Sequence, residues 1–485
     1  MKPIVGRLLP LAFACLLPLA LGCLLPPAWA GEIIRFEAGA QARTDVVLAN
    51  VPVKALVTEF LDPGDTGAGK SVGYLLWREI LTAISDQAGA GVILARAPGD
   101  QRLTDLLEQA YHDAAVRIAR SQSSSMAVWG AVNADGQALY VSTYLSLLPE
   151  SAQLQLVLRL SAPGVPPGLE AEITRTNFNF PLLETTRAQL FERRVVTRAQ
   201  ATARASADGS ASAVARVPKG NALDAVDMDK GWFKVRLSDG RFAYLDNSVV
   251  DVPPRTVEAT RVAATLSSGP GGQRLSRVTL DGSYRVLDMR YVEKKGLWYQ
   301  VAVDGVNGWV PATLVRARFS LPIVHFVAGL YRYQFRRYED ARREFAQYVS
   351  APDAGDDNPS FATAYQLLGA SALLAKSTVF EADPATVDLF SKAVAATPYD
   401  PTAYSLRALS SLALRRQVGG ALTDLDQALQ LDPTNATAAR ITGALREQLT
   451  NPRGGALNYM LQDGRNPAVQ KQLEELVQRA SGVNR

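Results

Sequence analysis

Two stretches, Gly231-Trp232-Phe233-Lys234-Val235 and Leu297-Trp298-Tyr299-Gln300-Val301, carry one pattern twice. Each runs into an Asp-Gly turn, Asp239-Gly240 or Asp304-Gly305, and then meets a second aromatic, Tyr244 or Trp309. Trp232 matches Trp298, Val235 matches Val301 and Tyr244 matches Trp309, with one extra residue in the first turn. Short apolar strands separated by turn residues suit a five- or six-stranded barrel of roughly 60 residues. The pattern therefore predicts two small all-β barrels in tandem, over 193–252 and 254–317, and a multidomain chain around them.

Upstream, 31–190 alternates element types. VPVKALVTEFL (51–61) reads as a strand, and SVGYLLWREILTAISDQ (71–87) repeats its apolar residues at helical spacing. GVILARA (91–97) is a second strand, and LTDLLEQAYHDAAVRIARSQ (103–122) a second amphipathic helix. MAVWGAV and ALYVSTYLSLL flank the turn cluster Asn133-Ala134-Asp135-Gly136 and predict a β-hairpin. This order fits an α/β domain. Downstream, 320–449 becomes helical. FVAGLYRYQFRRYEDARREFAQYV pairs two helices around Arg336-Arg337-Tyr338, with Gly329, Ala341 and Phe345 where packed hairpins need small and bulky residues. DLFSKAVAATPYDP (388–401) and DLDQALQLDP (424–433) align at a separation of 35, pairing Phe390 with Leu425 and Pro398 with Pro433. Three partial repeats are expected, the second stretched near Ser377–Pro384, followed by a tail (450–485) with a capping helix around Val469–Leu476.

These features carry three resemblances. The Trp-aromatic-x-Val strand, glycine turn and Gly308-Trp309-Val310 resemble the bacterial Src-homology-3-like (SH3b) family; the first copy departs with Ala243-Tyr244-Leu245. The EFLDPG strand end and the VWGAVNADGQALYVSTYL hairpin resemble the N-terminal domain of TolB-like envelope proteins, which docks other envelope proteins and has no catalytic residues to carry over. The helical stretch resembles tetratricopeptide (TPR) repeats. Together they imply a protein-binding scaffold, with envelope proteins as partners of the repeats and peptidoglycan or a peptide as partner of the barrels.

Compartment follows from the first 30 residues. Lys2 and Arg7 precede an apolar run from Leu8 to Leu25, and Ala28-Trp29-Ala30 ends it, which predicts a secretion signal cut after Ala30 and a periplasmic protein. Ala20-Leu21-Gly22-Cys23 loosely resembles a lipidation box, so membrane contact is expected only if Cys23 is lipidated. Both cysteines, Cys15 and Cys23, lie in this segment, so no disulfide, thiolate metal site or cysteine nucleophile is expected after cleavage. The net charge of +4 drops to +2 without Lys2 and Arg7, a balance that does not point to nucleic acid.

Four groups of residues invite a chemical reading. Gly64-Asp65-Thr66-Gly67-Ala68-Gly69-Lys70-Ser71 matches the phosphate-loop pattern between a strand and a helix, so Gly64, Gly69, Lys70 and Ser71 could hold a nucleotide. A Gly-rich loop capping a helix is the plainer reading of the same residues. Trp232, Tyr244, Trp298, Tyr299 and Trp309 either fill barrel cores or line a groove that stacks on a glycan or peptide. Tyr331, Arg332, Arg336 and Arg337 form a basic-aromatic cluster suited to an acidic or C-terminal peptide on the repeats, or to a half-buried packing face. His112 and His325 lack the spacing of a metal site or triad. No catalytic residue, metal or cofactor is expected.

Overall fold

The computed structural model describes residues 33–37, 51–95, 108–148, 156–160, 169–292, 294–351, 358–450 and 467–482. The expected secretion signal, with Cys15 and Cys23, and the start of the second helix at 103–107 lie outside the described residues. Among the described residues no helix is long and apolar enough to cross a membrane.

The N-terminal sheet runs β1 (Ile33–Glu37), β3 (Ala90–Ala95), β2 (Val53–Thr58), β4 (Met126–Asp135), β5 (Ala138–Leu147) and β8 (Asn177–Asn179), with β9 (Leu183–Thr186) also on β5. β2 pairs in parallel with β3 and β4, while β4 and β5 form a hairpin whose turn holds Gly136 at φ 58°. A strand sandwiched on both faces must be apolar on both, and β2 is buried at every position. Ala55 and Val57 face helix α1 (Ala68–Ala83), while Leu56 faces helix α2 (Glu108–Ser121) on the opposite side. Contact with α1 is so close that a Cβ on Gly69 would sit 2.4 Å from the Phe60 carbonyl oxygen, and one on Gly73 2.7 Å from that of Thr58. Two short strands, β6 (Val157–Arg159) and β7 (Glu170–Glu172), pair separately.

Helix α3 (Arg187–Phe191) opens on a capping box, in which Thr186 and Gln189 satisfy each other's backbone amides. It leads into β10 (Arg193–Thr197), β11 (Ala201–Arg204), β12 (Ala213–Val217), β13 (Ala222–Asp229), β14 (Trp232–Arg236), β15 (Phe242–Asp246) and β16 (Val250–Asp251). These form one antiparallel sheet. The next sheet comprises β17 (Thr256–Ser267), β18 (Arg274–Val292), β19 (Gly296–Val303), β20 (Val306–Pro311) and β21 (Arg316–Arg318). It closes on itself, because β17 pairs with both β18 and β20. The matched aromatics occupy the same register in both units: Lys234 faces Tyr244 across the ladder as Gln300 faces Trp309.

The rest is helical: α4 (Ile323–Gln334), α5 (Tyr338–Val349), α6 (Pro359–Leu374), α7 (Thr386–Ala396), α8 (Pro401–Ser410), α9 (Val418–Leu431), α10 (Ala436–Thr450) and α11 (Pro467–Gly482). Consecutive helices pack on one another. Gly329 of α4 receives the Phe345 ring of α5, and Gly369 of α6 receives the Phe390 ring of α7; a Cβ at either glycine would lie 2.6 Å from that ring. The stretched repeat holds a short 3-10 turn, Val379–Glu381, between α6 and α7.

Length alone suggests three or four separate cores. The structure divides them otherwise. The N-terminal sheet with α1, the first β unit and the helices share one continuous apolar core, whereas the second β unit has its own, around Leu266, Tyr299, Val301 and Val310. A buried polar node ties the shared part together. Arg193 of β10 reaches Glu79 of α1 at 2.7 Å with both side chains fully buried, and Ser320, just before α4, donates its N–H to both Glu79 oxygens at 3.2 Å.

Candidate functional site

Alternation along β14 and β19 sorts the matched aromatics. Phe233 and Val235, like Tyr299 and Val301, point into the cores. Trp232 and Tyr244 lie half-buried on the outer face of the first unit, and Trp298 on that of the second. Trp298 pairs with Pro311 across the ladder, so indole and proline ring share this face. They line a groove of about 630 Å³ together with Ala263, Thr265, Arg277 and Leu314. The Trp298 Nε1–H donates to the Lys295 carbonyl at 3.1 Å, which fixes the indole plane without using its face.

Two of the five aromatics expected at a ligand are corrected. Tyr299 is fully enclosed in the barrel core, and burial pushes its phenol well above the ordinary tyrosine range, so it cannot meet a ligand. Trp309 is on the outer face but only 3% exposed, with the Arg290 guanidinium 4.9 Å from its ring centroid. In the first unit the neighbouring Gly231 packs against the Tyr74 ring of α1, so the Trp232 edge adjoins the N-terminal domain.

The basic-aromatic cluster is also corrected, since most of it works inside the fold. Tyr331 is fully buried and donates its hydroxyl to the Gly91 carbonyl at 2.5 Å; burial pushes that hydroxyl far up. Arg332 is 5% exposed and donates to the Ala83 carbonyl at 2.9 Å and to Asp86. Arg337 binds Asp86 at 3.0 Å and Asp340 at 2.6 Å. Tyr331 thus ties α4 to β3, while Arg332 and Arg337 fasten the α4–α5 turn region to the C-terminal end of α1. Arg336 takes the left-handed conformation, φ 58°, in the turn between α4 and α5. An incoming peptide would find none of the first three free.

The phosphate-loop reading fails on three contacts. The Asp62 carboxylate already accepts the Gly69 N–H at 3.2 Å and the Thr66 hydroxyl at 3.1 Å, placing a negative charge where a phosphate would bind. Ser71, which would hold the magnesium ion, is fully buried and donates to the Gly67 carbonyl at 3.0 Å and to the Met228 carbonyl of the first β unit at 3.3 Å. Gly69 exists for close helix–strand packing, as its clash with Phe60 shows. Gly64 stays exposed at the loop tip and Lys70 half-buried at the start of α1. The pattern is a cap.

His325 contacts Glu344 at 2.9 Å, and His112 contacts Asp113 at 3.1 Å and Ser146 at 3.2 Å. Among the described residues, no group of three or more His, Cys, Asp or Glu side chains could hold a metal ion. The groove lining from β17 and β18 was missed because Ala263, Thr265 and Arg277 carry no local pattern; only the closure of the sheet brings them to Trp298.

Comparison with known proteins finds no matching family model and no matching curated protein. Solved structures are similar to parts of the chain. The first TPR of Spaghetti (RPAP3), bound to the HSP90 peptide SRMEEVD, is 22% identical over 26% of this chain and 92% of its own, with a TM-score of 0.21. MamA from Desulfovibrio magneticus RS-1 is 16% identical over 33% of this chain and 77% of its own, with a TM-score of 0.23. NlpC2 from Trichomonas vaginalis is 9% identical over 27% of this chain and 49% of its own, at 0.14.

Proposed function

We propose that this chain is a non-enzymatic scaffold or adaptor of the cell envelope, exported to the periplasm, in which the second barrel takes a peptide or a peptidoglycan strand and the helices take protein partners. The observation that carries the reading is the outer-face groove at Trp298. An indole and a proline ring side by side offer flat apolar area at low entropic cost, and Arg277 adds a hydrogen-bonding charge to the lining. The closed second sheet is consistent with an SH3-like barrel, the strand–helix order of the first domain with a TolB-like module, and the stacked hairpins with TPR-like repeats.

The test is retention of the purified full-length protein on insoluble murein, with Trp298→Ala beside it. Retention lost in the variant supports the groove. No retention, or retention unchanged by the substitution, removes wall binding and leaves protein scaffolding alone. Trp309→Ala would be a poor probe, since that ring is covered. Truncation near Val315 would strip α4 from the shared core, so capture of partners from envelope extracts needs the whole chain.

A further inference from the structure

A second cavity, of about 540 Å³, opens where the two β units meet, and arginine dominates it. Arg193 and Arg194 come from β10, Arg236 from the end of β14, Arg255 from the link before β17 and Arg285 from β18. Against these five stand two carboxylates, Glu192 and Asp224. The fold itself uses some of the charge. Arg193 is held by buried Glu79, and Arg194 by Asp224 at 2.9 Å. Asp224 also meets Arg285 at 3.4 Å, so one carboxylate already bridges the two units.

Two guanidiniums make no ion pair among the described residues. Arg236 is exposed, its guanidinium 5.5 Å from the centroid of the Phe242 ring. Arg255 donates to the Gln189 carbonyl. Burial, then the nearby Arg193 charge, pushes the Arg255 guanidinium below its ordinary range, with Glu79 and Glu192 acting in the opposite sense. The cleft is also shaped by irregular pairing: β13 carries a bulge between Ala225 and Asp227, and β18 one between Val286 and Asp288, with Val226 and Val286 both in the lining. Bulges of this kind bend strands apart and re-aim side chains.

We propose that this cleft binds a small ligand carrying two or more oxyanions, gripped by Arg236, Arg255 and Arg285. Guanidinium forks match the geometry of carboxylate and phosphate groups, and the volume falls in the range of small-molecule sites. Because Arg236 and Arg285 belong to different β units, an occupant ties the two together as Asp224 already does. The site is independent of the Trp298 groove.

Calorimetric titration of the full chain at low ionic strength tests this with two probes, a triglutamate peptide and inorganic pyrophosphate. The expected result is binding of at least one, weakened about tenfold or more in the Arg236→Gln/Arg255→Gln double variant. Arg216→Gln, an exposed arginine of β12 outside the cleft, should leave it unchanged. Triglutamate alone assigns the site to carboxylates, pyrophosphate alone to phosphates. Binding of neither probe, or equal binding by the double variant, overturns the proposal. Should the double variant unfold, Arg236→Gln alone serves, since that side chain is exposed and makes no ion pair among the described residues.

Discussion

Replacing Arg193 by methionine probes the junction of three parts of the chain. The guanidinium sits 2.7 Å from Glu79 with both side chains at zero exposure, so solvent screens nothing. It also donates through Nε to the Leu190 carbonyl at 3.1 Å and through Nη2 to the Ser320 hydroxyl at 2.6 Å. Methionine keeps much of the stem but leaves the Glu79 carboxylate buried against the Ser320 N–H. Removing one partner of a buried pair costs about 3–5 kcal/mol. Removing both differs. In Glu79→Leu/Arg193→Met no charge is stranded; the Ser320 amide loses its acceptor, and the Leu190 carbonyl and Ser320 hydroxyl lose a donor, each at about 1–3 kcal/mol at most. The double variant is therefore expected to be more stable than Arg193→Met alone. Urea unfolding followed by intrinsic fluorescence reads this, because Trp77 is fully buried two residues before Glu79. An Arg193→Met loss below about 1 kcal/mol, or a double variant that sums the two single losses, would refute the reasoning.

Four further outcomes follow from the same packing. Gly329→Ala puts a Cβ 2.6 Å from the Phe345 ring, and overpacking of about 1–3 kcal/mol outweighs the roughly 1 kcal/mol gain in helix propensity; a raised thermal midpoint would contradict this. Tyr299→Ala empties a core position and should cost about 3–5 kcal/mol, whereas Trp298→Ala, on the outer face, should change stability far less; urea midpoints of the two decide. Asp62→Ala removes the carboxylate that caps α1 and should cost about 0.5–2 kcal/mol, a figure that equal unfolding curves would disprove. Equilibrium dialysis with millimolar nucleotide should find no binding; binding abolished by Lys70→Ala would restore the phosphate-loop reading.

How much could be read in advance varied with the range of the interactions. The helical pair around Arg336 was legible because Gly329 and Phe345 lie at short separation. The shared register of the two Trp strands was legible because alternation and turns are local. Face was not. Trp298 and Tyr299 are neighbours in sequence, yet one lines a groove and the other fills a core, and only the side of the ladder that closes over decides which. The Gly64–Ser71 pattern misled for a related reason: a cap and a phosphate loop use the same small residues, and the carboxylate of Asp62 separates them.

By itself, the sequence established the element types, the doubled β pattern and the switch to helices, all of which depend on contacts a few residues apart. Tertiary structure alone decided that Tyr331 ties α4 to β3 and Arg332 ties it to the end of α1, that Glu79, Arg193 and Ser320 meet in one buried node, and that five arginines converge between the β units. The partners in these ties and in the node lie 114 to 249 positions apart, and the arginines come from three strands and a link between residues 193 and 285. Nothing in their local surroundings encodes which will be neutralised by a partner and which will stay available to a ligand; burial and charge pairing across the assembled units settle it.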